Sequence, residues 1–233
     1  MFAKFLAMLY NNIEVFMIEI KNLYLSFTKE FDALHNINLE VKDGEKIVLL
    51  GEADSGKTML LRVLAKLEKF QSGEVYIKDI NIDKISFKHD LSVGFVPKSF
   101  VFLKNKTVKE NFVYILKERK FDSATINLKV LTALKTFGIE NIQNLKIKDL
   151  SPYQKALAEL ARISMRKIDL YLIDDICSGL VPSEAQNIIN KFLELMKDNQ
   201  ESTFIFAMSN QYLAKQLNCK IINLVHGCIE EIE

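Results

Sequence analysis

An α/β fold, with a mostly parallel sheet, an antiparallel edge near the N-terminus and a helical subdomain inserted in the core, is predicted by three observations. Four short apolar runs, 46–50, 168–173, 203–208 and 221–225, read as strands buried on both faces. From about 98 to 165 helical periodicity takes over and strand signals fade. The octapeptide Gly51-Glu52-Ala53-Asp54-Ser55-Gly56-Lys57-Thr58 joins the first apolar run to a helical pattern, which makes a strand, a glycine-bearing loop and a helix in succession.

The elements follow in order. Residues 18–27 alternate weakly and 33–41 more clearly, so both read as strands, and Asp43-Gly44 turns the chain into the buried strand 46–50. A helix is expected over 58–69. Ser72-Gly73 then turns into a strand over 74–82, and 93–96 is a short strand stopped by Pro97. Helices are expected over 107–118, 123–137 and 152–166, the middle one with Gly138 at its C-cap. The strand 168–173 precedes an amphipathic helix over 183–197. Strands 203–208 and 221–225 follow, with a last short strand after Gly227.

At 233 residues, 49% hydrophobic and 26% charged, the chain can bury a core and stay in solution. Its 31 basic and 30 acidic residues leave a net charge of +1, so nothing electrostatic argues for nucleic acid as a partner. Three cysteines and three scattered histidines show no metal-ligand spacing, and reduced thiols are expected. No run reaches the ~18–20 apolar residues of a membrane span. The opening decapeptide is apolar but short and interrupted by Lys4. It reads as a surface-seeking helix, a poor signal core, or part of a loose extension over 1–16, because the domain has a natural start at Met17.

The loop carries the chemistry. Successive N–H groups at a helix N-terminus cradle an anion. In that setting Lys57 reaches the β- and γ-phosphates of a nucleotide and the Thr58 hydroxyl sits on Mg²⁺. Such a site needs a carboxylate for the metal shell, and the buried run Leu170-Tyr171-Leu172-Ile173 ends in Asp174, followed by Asp175. A solvated acid closing a strand is the alternative reading of that run alone.

With these residues on the page, the chain over about 17–233 resembles the ATP-binding cassette (ABC) ATPases. Further resemblances lie at 19–27, Asp43-Gly44-Glu45, Ser72-Gly73-Glu74, 107–111, Leu150-Ser151-Pro152-Tyr153-Gln154, Ser178-Gly179-Leu180 and 223–229. The resemblance implies a P-loop NTPase core of ABC type, with an N-terminal antiparallel β-subdomain and an α-helical subdomain at 98–165. It implies ATP and Mg²⁺ as ligands, Phe27 as the aromatic stacked on adenine, and the loop 51–58 as the phosphate cradle. Thr58 and Asp174 are then the metal residues, and Ser151 and Gln154 belong to a signature that meets nucleotide held by another subunit. The Ser151-Pro152-Tyr153-Gln154 spacing is equally an ordinary helix-capping box.

Departures from the family fall on hydrolysis. Lys98 stands where the family has a metal- and water-sensing Gln, and Asp175 where it has a catalytic Glu. Ser209 replaces the γ-phosphate His, and Pro152 and Tyr153 replace the two signature glycines. Val181 replaces an Asp, and Asp54 replaces a loop glycine. A positioned base is worth about 10²–10⁴-fold and a charge stabiliser about 10²–10³-fold. Nucleotide binding is therefore expected to survive better than turnover. The resemblance implies a cytoplasmic subunit, peripheral on the inner face of the membrane, that works with a transmembrane permease subunit and a second ATP-binding subunit as a homo- or heterodimer. A groove lined by Phe100, Phe102, Phe112 and Tyr114 would receive the permease, with burial of these aromatics as the alternative. A non-catalytic regulatory or scaffold module, or a soluble non-transport ABC ATPase, are the other functions left open.

Overall fold

A computed structural model describes residues 15–28, 31–87 and 89–230, with backbone alone for 27, 28, 31 and 32. Its strands are β1 (Phe16–Thr28), β2 (Phe31–Lys42), β3 (Lys46–Leu50), β4 (Ser72–Ile77), β5 (Ile80–Asn81), β6 (Val93–Val96), β7 (Leu170–Asp174), β8 (Thr203–Met208), β9 (Lys220–Val225) and β10 (Cys228–Glu230). Its helices are α1 (Lys57–Leu64), α2 (Val108–Glu118), α3 (Ser123–Thr136), α4 (Pro152–Ser164), α5 (Pro182–Asp198) and α6 (Gln211–Gln216).

The apolar runs pair into a six-stranded sheet in the order β10-β9-β3-β8-β7-β6, parallel except for β10. Alternate residues of each parallel strand face two separate cores. Val48, Tyr171, Ile173, Phe204 and Phe206 point to a core shared with α2–α5, where the Tyr171 and Phe204 rings stack 4.2 Å apart. Ile47, Leu49, Leu170, Leu172 and Ile205 point the other way, onto α1 and the four-stranded antiparallel sheet β2-β1-β4-β5. Burial on both faces explains why these strands read as continuous apolar runs. Between β6 and β7 the named elements are all helical, from Val108 to Ser164, while 97–107 is loop.

Three expectations differ in detail. The helix expected over 58–69 ends at Leu64, because Lys66 turns left-handed at φ 58°. There the Lys66 and Leu67 N–H groups donate to the Val63 and Arg62 carbonyls (2.9 and 2.8 Å), a Schellman ending with lysine in the glycine position. The strand expected over 74–82 is a hairpin. Lys78 and Asp79 both take positive φ (48° and 62°), the two-residue turn that suits the sheet's twist but lacks its usual Asn-Gly marker. Helix α6 went unpredicted; six residues are too few to display a period, and its one signal is Asn210, whose side chain accepts from the Leu213 N–H at 3.1 Å. The extension expected over 1–16 lies outside the described residues except for 15 and 16. Those two already belong to the sheet: β1 starts at Phe16, and the Val15 carbonyl accepts from the Asp43 N–H at 3.0 Å.

Candidate functional site

The loop after β3 is braced by its neighbours. Gly51 N–H donates to the Met208 carbonyl of β8 (3.2 Å), and Gly227 N–H donates to the Ser55 carbonyl (3.1 Å). Its two glycines are steric requirements. A Cβ at Gly51 would lie 2.2 Å from the Leu224 oxygen. One at Gly56, where φ is +100°, would lie 2.5 Å from the Ala33 oxygen. Gly56 is the N-cap of α1 and brings no side-chain cap, so the first-turn amides are left for an anion.

Lys57 folds back over this loop. Its Nζ donates to the Gly51 carbonyl (2.8 Å), the Glu52 carbonyl (2.6 Å) and Ser55 Oγ (2.9 Å). Burial lowers its pKa, and the carboxylates of Asp175 and Asp174 oppose that shift. Asp174 closes β7, only 3% exposed, and both its oxygens accept from the Thr58 hydroxyl at 3.0 Å. Burial raises the Asp174 pKa against the hydrogen bond from Thr58 and the neighbouring Lys98, while Asp175 adds to the rise. A hydroxyl beside a carboxylate suits Mg²⁺, which is held through one or two carboxylates and otherwise by phosphate and water. Among the described residues no cluster of three or more His, Cys, Asp or Glu could hold a metal by itself.

Asp175 follows at φ +40° and its N–H donates to the Ala207 carbonyl (2.9 Å). Its Oδ2 accepts from the Ser209 hydroxyl at 3.1 Å and stands 3.9 Å from Lys98 Nζ. Lys98, Asp174, Asp175 and Ser209 line one cleft of about 320 Å³ together with Ala53–Thr58 of the loop. The cleft opens at the carboxyl ends of the parallel strands, where open α/β sheets bind ligands. Exposed Asp54, at φ +60°, adds a negative charge to its rim. Gly51 and Glu52 act behind the cleft, through the carbonyls that hold Lys57. A larger groove, about 700 Å³, lies between β1–β2 and β9–β10, away from the phosphate loop.

Ser151 and Gln154 are not brought to the cleft. They form a capping box on α4: Gln154 N–H donates to Ser151 Oγ (3.1 Å), and Ser151 N–H to Gln154 Oε1 (2.9 Å). Pro152 has no N–H, and Tyr153 is pinned to α5 by the Asn187 amide, which donates to its hydroxyl at 2.5 Å. The Phe27 side chain lies outside what the structure describes. The four aromatics expected in a docking groove divide. Phe112 sits fully buried on the apolar face of α2, and Phe100 and Phe102 pack partly buried on the same core. Tyr114 is 51% exposed and, with Leu103 and Val113, lines a groove of about 520 Å³.

Sequence reasoning missed one tie. Arg162 of α4 donates to the Val101 carbonyl (2.8 Å), lies 4.8 Å over the Phe102 ring, and pairs with fully buried Glu159. The 98–103 segment is thereby strapped to α4. The only signal was an i,i+3 acid–base pair on a helix, which is common on solvated surfaces.

Similarity to known proteins runs along the whole site. The family model described as "ABC transporter" matches residues 34–178, more than half of the chain. The osmoprotective compounds uptake ATP-binding protein GgtA of Synechocystis sp. is 30% identical over 212 residues, which cover 88% of this chain and 57% of that protein. The sn-glycerol-3-phosphate import ATP-binding protein UgpC of Bartonella bacilliformis is 28% identical, over 92% of this chain and 62% of that protein. The chain thus spans about three-fifths of the length of these curated relatives. Among solved structures, the dimeric ATP-binding cassette MJ0796 bound to ADP and Pi superposes with a TM-score of 0.81 at 25% identity, covering 93% of this chain and 98% of that one.

Proposed function

The chain belongs to the ABC transporter family, and from that premise we propose that it is the ATP-binding subunit of an ABC-type membrane complex. In this reading it binds Mg-ATP and hydrolyses it slowly or not at all. A separate transmembrane permease subunit receives the effect of binding. Among the described residues no helix is long and apolar enough to cross a membrane, so the permease must come from another chain segment or subunit. The observation that carries the reading is the convergence of Lys57, Thr58 and Asp174 on one cleft at the strand ends. Residues 17–233 act as one cassette with 98–165 as its helical subdomain, working in the cytoplasm on the inner face of the membrane.

In the mechanism, Lys57 Nζ exchanges its loop carbonyls for the β- and γ-phosphate oxygens, while the first-turn amides of α1 hold the same phosphates. Thr58 and Asp174 would hold Mg²⁺, whose chemistry is to neutralise phosphate charge. Phe27 would stack on the adenine. Asp175, shorter than Glu and engaged by Ser209 and Lys98, is poorly placed to accept a proton from water. Ser151 and Gln154 would meet nucleotide bound to a second cassette. The N-terminus of α4 uses the Ser151 and Gln154 N–H groups in its own capping box and Pro152 has none to offer, which favours a heterodimer whose other member supplies an intact signature. A regulatory subunit that binds ATP without catalysis is the second reading, favoured by the engaged Asp175.

Calorimetric titration of the purified chain with Mg-ATP, beside a phosphate-release assay, tests the reading. Binding that Lys57→Ala abolishes, with little or no release, is expected. Absence of binding would refute the ATP-binding subunit, and brisk release abolished by Lys57→Ala would refute the impaired turnover.

A further inference from the structure

Lys98 lines the cleft beside Asp174 and Asp175. Its ammonium stands 3.9 Å from Asp175 Oδ2, which Ser209 also engages. The strap from Arg162 to Val101 fixes the chain three residues further on. The Lys98 side chain remains 58% exposed, so the ammonium is free to turn from Asp175 toward a ligand. The cleft therefore presents ammonium groups from two elements, Lys57 from the loop and Lys98 from the end of β6, to any polyanion that enters.

Resting on the ATP reading above, we propose that Lys98 is a tethered counter-cation for the bound triphosphate. It supplies in covalent form part of the positive charge that Mg²⁺ otherwise brings, so this cassette holds ATP with weak dependence on the metal. The same ammonium beside Asp174 and Asp175 repels a dication and weakens its hold on the site. Asp175 is then the partner that parks the ammonium at the cleft while it is empty, rather than a base. A neutral amide at this position would hydrogen-bond a phosphate but supply no charge.

The test compares ATP affinity of the full chain, by calorimetry, with Mg²⁺ and with EDTA. It is repeated for Lys98→Gln, Lys98→Met and Lys98→Arg, with melting temperatures reporting folding. In the wild type, chelation should weaken binding by less than about tenfold. Loss of a charge-assisted phosphate contact should make Lys98→Gln and Lys98→Met weaker in EDTA by a further roughly ten- to hundredfold. Lys98→Arg should follow the wild type. Equal metal dependence in the wild type and both neutral variants overturns the proposal. Absence of ATP binding in both buffers removes the ATP reading itself, and the proposal with it.

Discussion

Asp174 places a carboxyl where burial disfavours its charged form. Burial raises its folded-state pKa above the ordinary 3.8. A raised acid is destabilising while ionised, and that cost is relieved as pH falls through the folded pKa. Asp174→Asn removes the charge and keeps the shape, so the nucleotide-free variant should melt above the wild type at neutral pH. The difference should shrink as the pH is lowered toward and through the folded pKa, and paired thermal melts across that range measure it. A variant that melts lower at neutral pH would show that the Thr58 hydrogen bonds to the carboxylate outweigh burial. The convergence of Lys57, Thr58 and Asp174 on one cleft was legible in sequence because they sit at fixed offsets from glycines or at a strand end. The pairing of Lys98 with Asp175 was not, because 77 residues separate two side chains that only the β6–β7 pairing makes neighbours.

Helix α4 opens with two of the departures from the family, Pro152 and Tyr153. Its N-terminus is built for stability: Ser151 caps, Pro152 begins the first turn without an orphan N–H, and Gln154 closes the box. Ser151→Ala should lower unfolding free energy by about 1 kcal/mol (roughly 0.5–2), read by urea denaturation. No loss of stability would mean that the box is idle and that Ser151 answers to another ligand. In its last turn the same helix holds the 98–103 segment through Arg162, which pairs with buried Glu159. A movement of the helical segment therefore has a covalently short route to Lys98 in the cleft. The capping box could be read from four adjacent residues. The strap could not, because its partners are a backbone carbonyl and a ring about sixty residues away.

At the scale of the molecule, one sheet with a core on each face gathers the phosphate loop, Lys98, Asp174, Asp175 and Ser209 at the carboxyl ends of its parallel strands, while the α4 N-terminus lies outside that cleft. A homodimer would pair each phosphate loop with a helix N-terminus whose Ser151 and Gln154 N–H groups are engaged in its capping box and whose Pro152 has none. The purified chain is therefore expected to stay monomeric in ATP by size-exclusion chromatography with light scattering. The double variant Pro152→Gly, Tyr153→Gly, which restores a backbone N–H and removes the bulk, should gain ATP-dependent association. Dimerisation of the wild type on adding ATP would remove the argument for a different second cassette.

The order of the elements, the phosphate loop and the strand-end acid were determined by local sequence, because apolar period, glycine spacing and caps act over a few residues. The shortened helix α1, the 77–80 hairpin and helix α6 depended on left-handed residues without glycine or on elements too short to show a period. Which charges meet was decided only by the tertiary structure. Parallel pairing of β6 with β7 and of β7 with β8 brings Lys98, Asp175 and Ser209 from distant parts of the chain within a few ångströms. Coulomb and hydrogen-bond energies depend on that separation in space and not on separation along the chain.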